Sequence, residues 1–317
     1  MLAVFKSENN LLQELEIDNI QSGSWINMVK PSEDELNKVS EVTNVPVDFL
    51  NPALDENEHS RIEIEDNCIL FIINVPLMLD KNSFDTLPLG IVITESYIIT
   101  VCLKDNNIIS NFNKSQAKNF STDRKVRFLL QILLKSAELY LRYMRYINQL
   151  TDNIELGLRK SMKNKALFQL FDLERSLIYF ITALKDNGMV TAKIERLVAN
   201  QNLSSMLKLH EEDEELLEDV IIENRQAIEM VEMHSNILSS MMDAFASIIS
   251  NNLNMVMKVL TSFTILIAIP TMIASFWGMN VDVPFRAHLG GFVYVVTFSF
   301  LATSITALLL VRKKMLF

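Results

Sequence analysis

The residues with the clearest chemical capacity are Gly278-Met279-Asn280, which follow one uncharged apolar stretch, Val259 to Trp277, and precede a second, Gly290 to Val311. The Asn280 side-chain carbonyl accepts hydrogen bonds, and the glycine two residues earlier lets the backbone turn beside it. Behind this motif, alternate steps of three and four residues from Asn254 reach Met257, Thr261, Thr264, Ala268, Thr271, Ser275 and Gly278. That spacing keeps one helix face, and the face is mostly small or hydroxylated. It suits either close helix packing or a water-lined path. The amide at the mouth and the continuation into Asn254 and Met257 favour the path. Several copies about an axis would enclose a conduit with an amide ring at its entrance, hydroxyls along it, and apolar rings from Met257 and Leu260 near its inner end. Apolar rings of that kind close pores by dewetting. Pro270 is either a weak point in the backbone ladder or a simple kink.

The elements that must hold these residues follow from length and charge. Each apolar stretch is long enough to cross a bilayer core of roughly 30 Å as a helix. Between them, Asp282, Arg286 and His288 are the ionisable groups, whereas Arg312-Lys313-Lys314 follow the second stretch directly. The positive-inside bias then puts the short loop outside and both termini in the cytoplasm. Residues 1–15 have neither a basic flank nor an apolar run, so insertion is expected to use the later spans.

Upstream, Pro31, Pro46, Pro52, Pro76 and Pro88 fall before residue 90, and the next proline is Pro270. The early part therefore reads as turn-rich, with strand-like runs at Leu2–Phe5, Trp25–Val29, Arg61–Ile64, Cys68–Val75, Leu89–Ile93 and Tyr97–Cys102. Ser32-Glu33-Asp34-Glu35 has the spacing of a capping box opening a helix to about Val42. Helical periodicity covers Val126 to Leu156 and Ala166 to Leu184, and Lys185-Asp186-Asn187-Gly188 reads as a helix stop. No glycine or proline occurs from Met189 to Ile269, so one helix from about Leu209 to Trp277 is expected. At 1.5 Å per residue it would be on the order of 100 Å long. A helix of that length needs partners for its apolar stripe, from its own chain or from identical copies.

The expected divisions are an α/β domain over residues 1–120, long helices over 121–255, a first span over 256–277, an external loop over 278–289, a second span over 290–311 and a basic tail over 312–317. The net charge of −10 argues against nucleic acid as partner and suits cations. Cys68 and Cys102 sit in apolar strand-like runs, as buried thiols of a reducing compartment do. There is no glycine-rich phosphate loop, nucleophile elbow or His-Glu zinc motif, so an enzyme and an organic cofactor are not expected. Glu63 and Asp66 read as surface charges.

Met257-Lys258-Val259-Leu260-Thr261, Ile269-Pro270-Thr271 and Gly278-Met279-Asn280, before a second span and a basic tail, resemble the CorA family of divalent-cation channels. The resemblance covers the whole chain. It implies a funnel-shaped α/β cytoplasmic domain, long stalk helices and two C-terminal transmembrane helices in a homopentameric channel of the cell membrane, with the first span lining the pore. It implies passive Mg2+ influx, with Co2+ or Ni2+ as competing substrates. Asn280 would then form the entrance ring for hydrated Mg2+, shaped by Gly278 and Met279, with Thr271, Ala268, Leu260, Met257 and Asn254 below it. The family register takes Leu260 where the spacing takes Thr261. Regulatory intracellular Mg2+ would be sensed at Asp219 and Asp80. Trp277 stands where the family usually has tyrosine, Ala268 is smaller than the residue often found there, and Asp282 is offset by Arg286.

Mg2+ gives up its waters reluctantly, so a side-chain carbonyl that touches the hydration shell suits it. Zinc prefers His and Cys at close spacing, and His59, His210, His234 and His288 are far apart. A zinc transporter of the same superfamily, with proton coupling, is the alternative. A membrane-anchored scaffold or sensor without ion flux is the alternative of another class. The acidic run Glu211-Glu212-Asp213-Glu214-Glu215 reads as the first turns of a helix, where acids favour the macrodipole, or as part of an ion-bridged subunit contact.

Overall fold

A computed structural model describes residues 1–8, 11–65, 67–113, 120–160, 164–199, 206–284 and 290–313. Asp66, Arg286, His288 and Lys314 lie outside the described residues. The chain divides into two compact units, Met1–Ser240 and Met241–Phe317.

In the first unit, β1 (Leu2–Glu8), β2 (Leu11–Leu15), β3 (Trp25–Val29), β4 (Arg61–Glu65), β5 (Cys68–Asp80), β6 (Ser83–Thr94) and β7 (Ile98–Cys102) form a sheet ordered β2-β1-β3-β7-β6-β5-β4. Only the central pair β3–β7 is parallel among the described ladders. The middle strands are covered on both faces, which is why Cys68 to Val75 and Leu89 to Ile93 are nearly continuous apolar runs and not alternating ones. On one face, Ile26, Met28, Leu70, Ile72, Val92, Ile99 and Val101 pack with Leu36 and Val39 of α1 (Glu33–Thr43) and Phe49 and Leu50 of α2 (Val47–Leu50). The capping box at Ser32 and Glu35 is present in both directions. On the other face, Trp25 lies 5.0 Å from the Phe128 ring and Phe84 6.1 Å from Phe180. Phe128 belongs to α4 (Lys125–Lys160) and Phe180 to α5 (Asn164–Val198). Between β7 and α4, α3 (Asn107–Asn113) supplies Phe112 to the same aromatic cluster, 4.8 Å from Phe128.

Pro76 and Pro88 mark no turn; both are inside strands, opposite Thr86 and Asn74. The β4 ladder on β5 reaches only Ile72, and the β7 ladder on β6 starts at Leu89. Each proline therefore sits in a stretch with a single neighbour strand, where a missing N–H breaks no bond on the open side.

The expected helix stop at Lys185 to Gly188 is a correction, because α5 runs through it to Val198. Asn187 is buried there and serves the sheet edge: its Nδ2 donates to the Asn74 carbonyl at 2.7 Å and its Oδ1 accepts from the Asn74 N–H at 2.9 Å and Ser60 Oγ at 2.9 Å. This side-chain amide stands in for a strand just before β4 begins. Gly188 allows close approach of the next long helix, since a Cβ there would lie 3.0 Å from Asn224 Nδ2. Tertiary contacts thus override weak local propensity.

That next helix, α6 (Glu211–Trp277), spans 67 residues, and α7 (Gly291–Arg312) spans 22. Both contain windows long and apolar enough to cross a membrane, and almost none of either window is covered within one chain.

Candidate functional site

The last turns of α6 put the predicted stripe on one face. Thr264, Ala268, Thr271 and Ser275 line a common groove of about 590 Å³ with Ile267 and Met272. Thr264 Oγ1 donates to the Leu260 carbonyl at 2.9 Å, and Thr271 Oγ1 to the Ile267 carbonyl at 2.8 Å. A hydroxyl that has given its proton to the backbone offers outward only its lone pairs. The two threonines therefore offer acceptors to a groove lined otherwise by Ser275 and the apolar Ile267, Ala268 and Met272. Asn254, Met257, Leu260 and Thr261 are exposed further down the helix. At about 100° per residue, Leu260 and Thr261 flank the stripe on opposite sides by roughly equal angles, about 50° each. Ser262, which is off the stripe, is fully buried. A different face, with Pro270, Ala274 and Trp277, meets Phe292, Val296 and Ser299 of α7 around a cavity of about 430 Å³. α6 stays helical through Pro270.

The helix ends at Trp277, and the motif follows in a turn. Gly278 N–H donates to the Ala274 carbonyl at 2.9 Å, and Met279 N–H to the Phe276 carbonyl at 3.4 Å. A Cβ on Gly278 would come within 3.2 Å of that same Ala274 carbonyl oxygen, so glycine lets the turn close tightly. Trp277 Nε1 donates to the Pro284 carbonyl at 3.4 Å and holds the loop back towards the helix end. Asn280 and Asp282 are exposed.

The two predicted regulatory acids lie in the first unit. Asp80 is at the tip of the β5–β6 hairpin, where its carboxylate accepts the Asn82 N–H at 2.7 Å. Asp219 is on the exposed side of α6. Among the described residues no hydrogen bond or ion pair joins Asp80 to Asp219, and no group of three or more His, Cys, Asp or Glu is gathered for a metal ion. Cys68 and Cys102 are buried free thiols, pushed up to about 11 and about 12, chiefly by burial. The acidic run opens α6, as its helix-start reading expects. Its buried member, Asp213, is held by Arg124 and Arg127, a pair that sequence periodicity did not single out.

Residues 21–313 match the model of the CorA-like Mg2+ transporter protein family. The chain belongs to the CorA-like family. A CorA relative, the cobalt/magnesium transport protein CorA of Methanocaldococcus jannaschii, is 28% identical over 260 residues, 81% of this chain and 79% of that one. The complete structure of the CorA magnesium transporter from the same organism superposes with a TM-score of 0.84, covering 98% of both chains at 23% identity. The cytoplasmic domain of ZntB from Vibrio parahaemolyticus has a TM-score of 0.61 at 11% identity, over 78% of this chain and 98% of that domain. The expected architecture, an N-terminal α/β domain, long helices and two C-terminal apolar helices, is that of the complete CorA structure.

Proposed function

We propose that this protein is a homopentameric channel for membrane-potential-driven influx of Mg2+, with Co2+ and Ni2+ as further substrates, gated by intracellular Mg2+. The carrying observation is the groove of Thr264, Ala268, Thr271 and Ser275 that leads to Gly278-Met279-Asn280 in a chain of the CorA-like family. Residues 256–277 line the pore, 278–289 form the external loop, 290–311 surround it, and the 312–317 tail lies in the cytoplasm with the 1–120 domain and the 121–255 helices.

In this reading five Asn280 carbonyls take hydrogen bonds from the waters of a hydrated ion, and Gly278 and Met279 set their height. Thr264 and Thr271 oxygens then accept from those waters, with Ser275, Ala268 and Thr261 beside them. Asn254 marks the inner end, and Met257 and Leu260 form the apolar closure. A membrane potential of 100 mV contributes about 4–5 kcal/mol to entry of a divalent ion, twice the single-charge value, so no second energy source is required. Mg2+ held between copies near Asp219 and Asp80 favours the closed state by relieving acid repulsion.

The test is flux into liposomes holding the full chain and an internal Mg2+ dye, under an inside-negative potential. Mg2+ entry that disappears in Asn280→Ala is the expected result. Zn2+ movement that requires a pH gradient, without Mg2+ entry, would replace this reading with a zinc transporter; no flux of either ion would replace it with a scaffold.

A further inference from the structure

α6 buries one side of its first half, and the buried positions are Asp213, Leu217, Val220, Asn224, Ala227, Val231 and Leu238. These follow helical spacing, and Asp213 is the charged member of the set. Its side chain is 1% exposed. Oδ1 accepts from Arg124 Nη2 at 3.1 Å and Arg127 Nη1 at 2.9 Å, and Oδ2 accepts the His210 N–H at 3.2 Å. The carboxylate thus caps the helix and ties it to α4. Glu212 is 73% exposed and pairs with the same arginines from the solvent side, its Oε2 2.9 Å from Arg124 Nη1 and 3.6 Å from Arg127 Nη1. The arginines occupy the start of α4, which is itself pinned: Lys125 Nζ donates to the Thr94 carbonyl at 2.6 Å and to the Glu95 carbonyl at 2.5 Å. A continuous set of polar contacts therefore runs from the β6–β7 turn through α4 to the first turn of α6.

A buried ion pair is weak evidence for stability, because desolvating two charges offsets much of their attraction; its best-attested use is to fix register. Here the register matters. With Asp213, Leu217 and Val220 facing inward, Glu218 and Asp219 must face outward. A one-residue slip or a rotation of about 100° would withdraw Asp213 from both arginines.

We infer that Asp213, clamped by Arg124 and Arg127, is a register lock that holds Asp219 on the outward side of α6, where it can take an ion. This rests on the reading of α6 as a pore helix controlled by cytoplasmic acids. Asp213 is a positioning residue and touches no transported ion. Asp213→Asn keeps the shape and removes the charge. Because α6 then samples other registers, the closed state loses its preference.

The experiment is Mg2+ flux through the full chain in liposomes, titrated against Mg2+ on the cytoplasmic face, with hydrogen exchange followed over residues 211–224. Asp213→Asn is expected to raise the half-inhibiting Mg2+ concentration at least about fivefold, the lower range of ordinary coupling between sites, and to speed exchange in that segment. Arg124→Gln leaves Arg127 in place and shifts both in the same direction by less, which also serves if Asp213→Asn fails to assemble. Glu212→Gln moves the half-inhibiting concentration by less than about twofold. Faster exchange with unchanged inhibition would overturn the inference and leave a purely structural clamp. Flux in the native chain with no inhibition by cytoplasmic Mg2+ would remove the regulatory reading beneath it, and the lock with it.

Discussion

The two units of this chain use apolar side chains in opposite ways. In Met1–Ser240, Trp25, Ile26, Phe71, Leu89 and Ile99 are wholly buried, with layers of helix on both faces of the sheet. In Met241–Phe317, Leu253, Phe263, Ile267, Phe276, Phe292 and Phe300 are more than half exposed. The first unit completes its core within one chain. The second leaves its apolar helices uncovered within one chain, as suits helices surrounded by hydrocarbon, where lipid tails remove any hydrophobic drive between spans. Polar groups divide accordingly: in the body they lock packing, and in the spans they wait at a surface.

This contrast predicts that the largest effect on transport comes from a residue with almost no effect on folding. Asn280→Ala should abolish Mg2+ entry while the unfolding midpoint of the body stays within about 1 °C, since exposed substitutions stay within about 0.5 kcal/mol. A lowered midpoint together with lost flux would blur the division. The converse case is Phe71→Ala in β5, which should cost the body about 3–5 kcal/mol in denaturant unfolding through the cavity it leaves. A cost below about 1 kcal/mol would mean that burial in this sheet is not what stabilises it.

Asn187→Ala comes next. It leaves the Asn74 N–H without its amide partner at the sheet edge, and about 1–3 kcal/mol should be lost, with faster hydrogen exchange at Asn74. The smallest effect is at the α1 cap. The Ser32 N–H donated to Glu35 holds that carboxyl below its ordinary value, with burial opposing and the chain amino group assisting. A lowered folded value adds stability above the ordinary carboxylate range, and this is lost as pH falls through the lowered value. Glu35→Gln should therefore flatten the acid limb of the stability profile by at most about 0.5 kcal/mol, allowing for solvent screening. An unchanged acid limb would remove Glu35 from the account.

Much of the frame is legible in the sequence because it depends on local periods. The capping box at Ser32, the strand at Trp25–Val29 and a helix ending at Trp277 appear where spacing put them. β2 lies outside the expected strands. β5 and β6 run past Pro76 and Pro88, because a proline is harmless when the neighbouring ladder stops short of it. The stop read at Lys185 to Gly188 failed for a related reason. Asn and Gly break helices when solvent is the alternative, but here Asn187 has a strand edge to satisfy and Gly188 a neighbouring helix to admit.

The spans, the hydroxyl face and the Gly278-Met279-Asn280 motif follow from composition and helical period along one dimension, since neither the length of an apolar run nor a step of three and four residues needs a partner to be read. The burial of Asp213 under Arg124 and Arg127 is of another kind. Its contacts join residues 86 and 89 positions apart, and neighbouring acids in the same run differ in burial from fully covered to largely exposed. That choice depends on how α6 is seated against α4, so folding alone separates the one carboxylate that locks the helix from those left facing water.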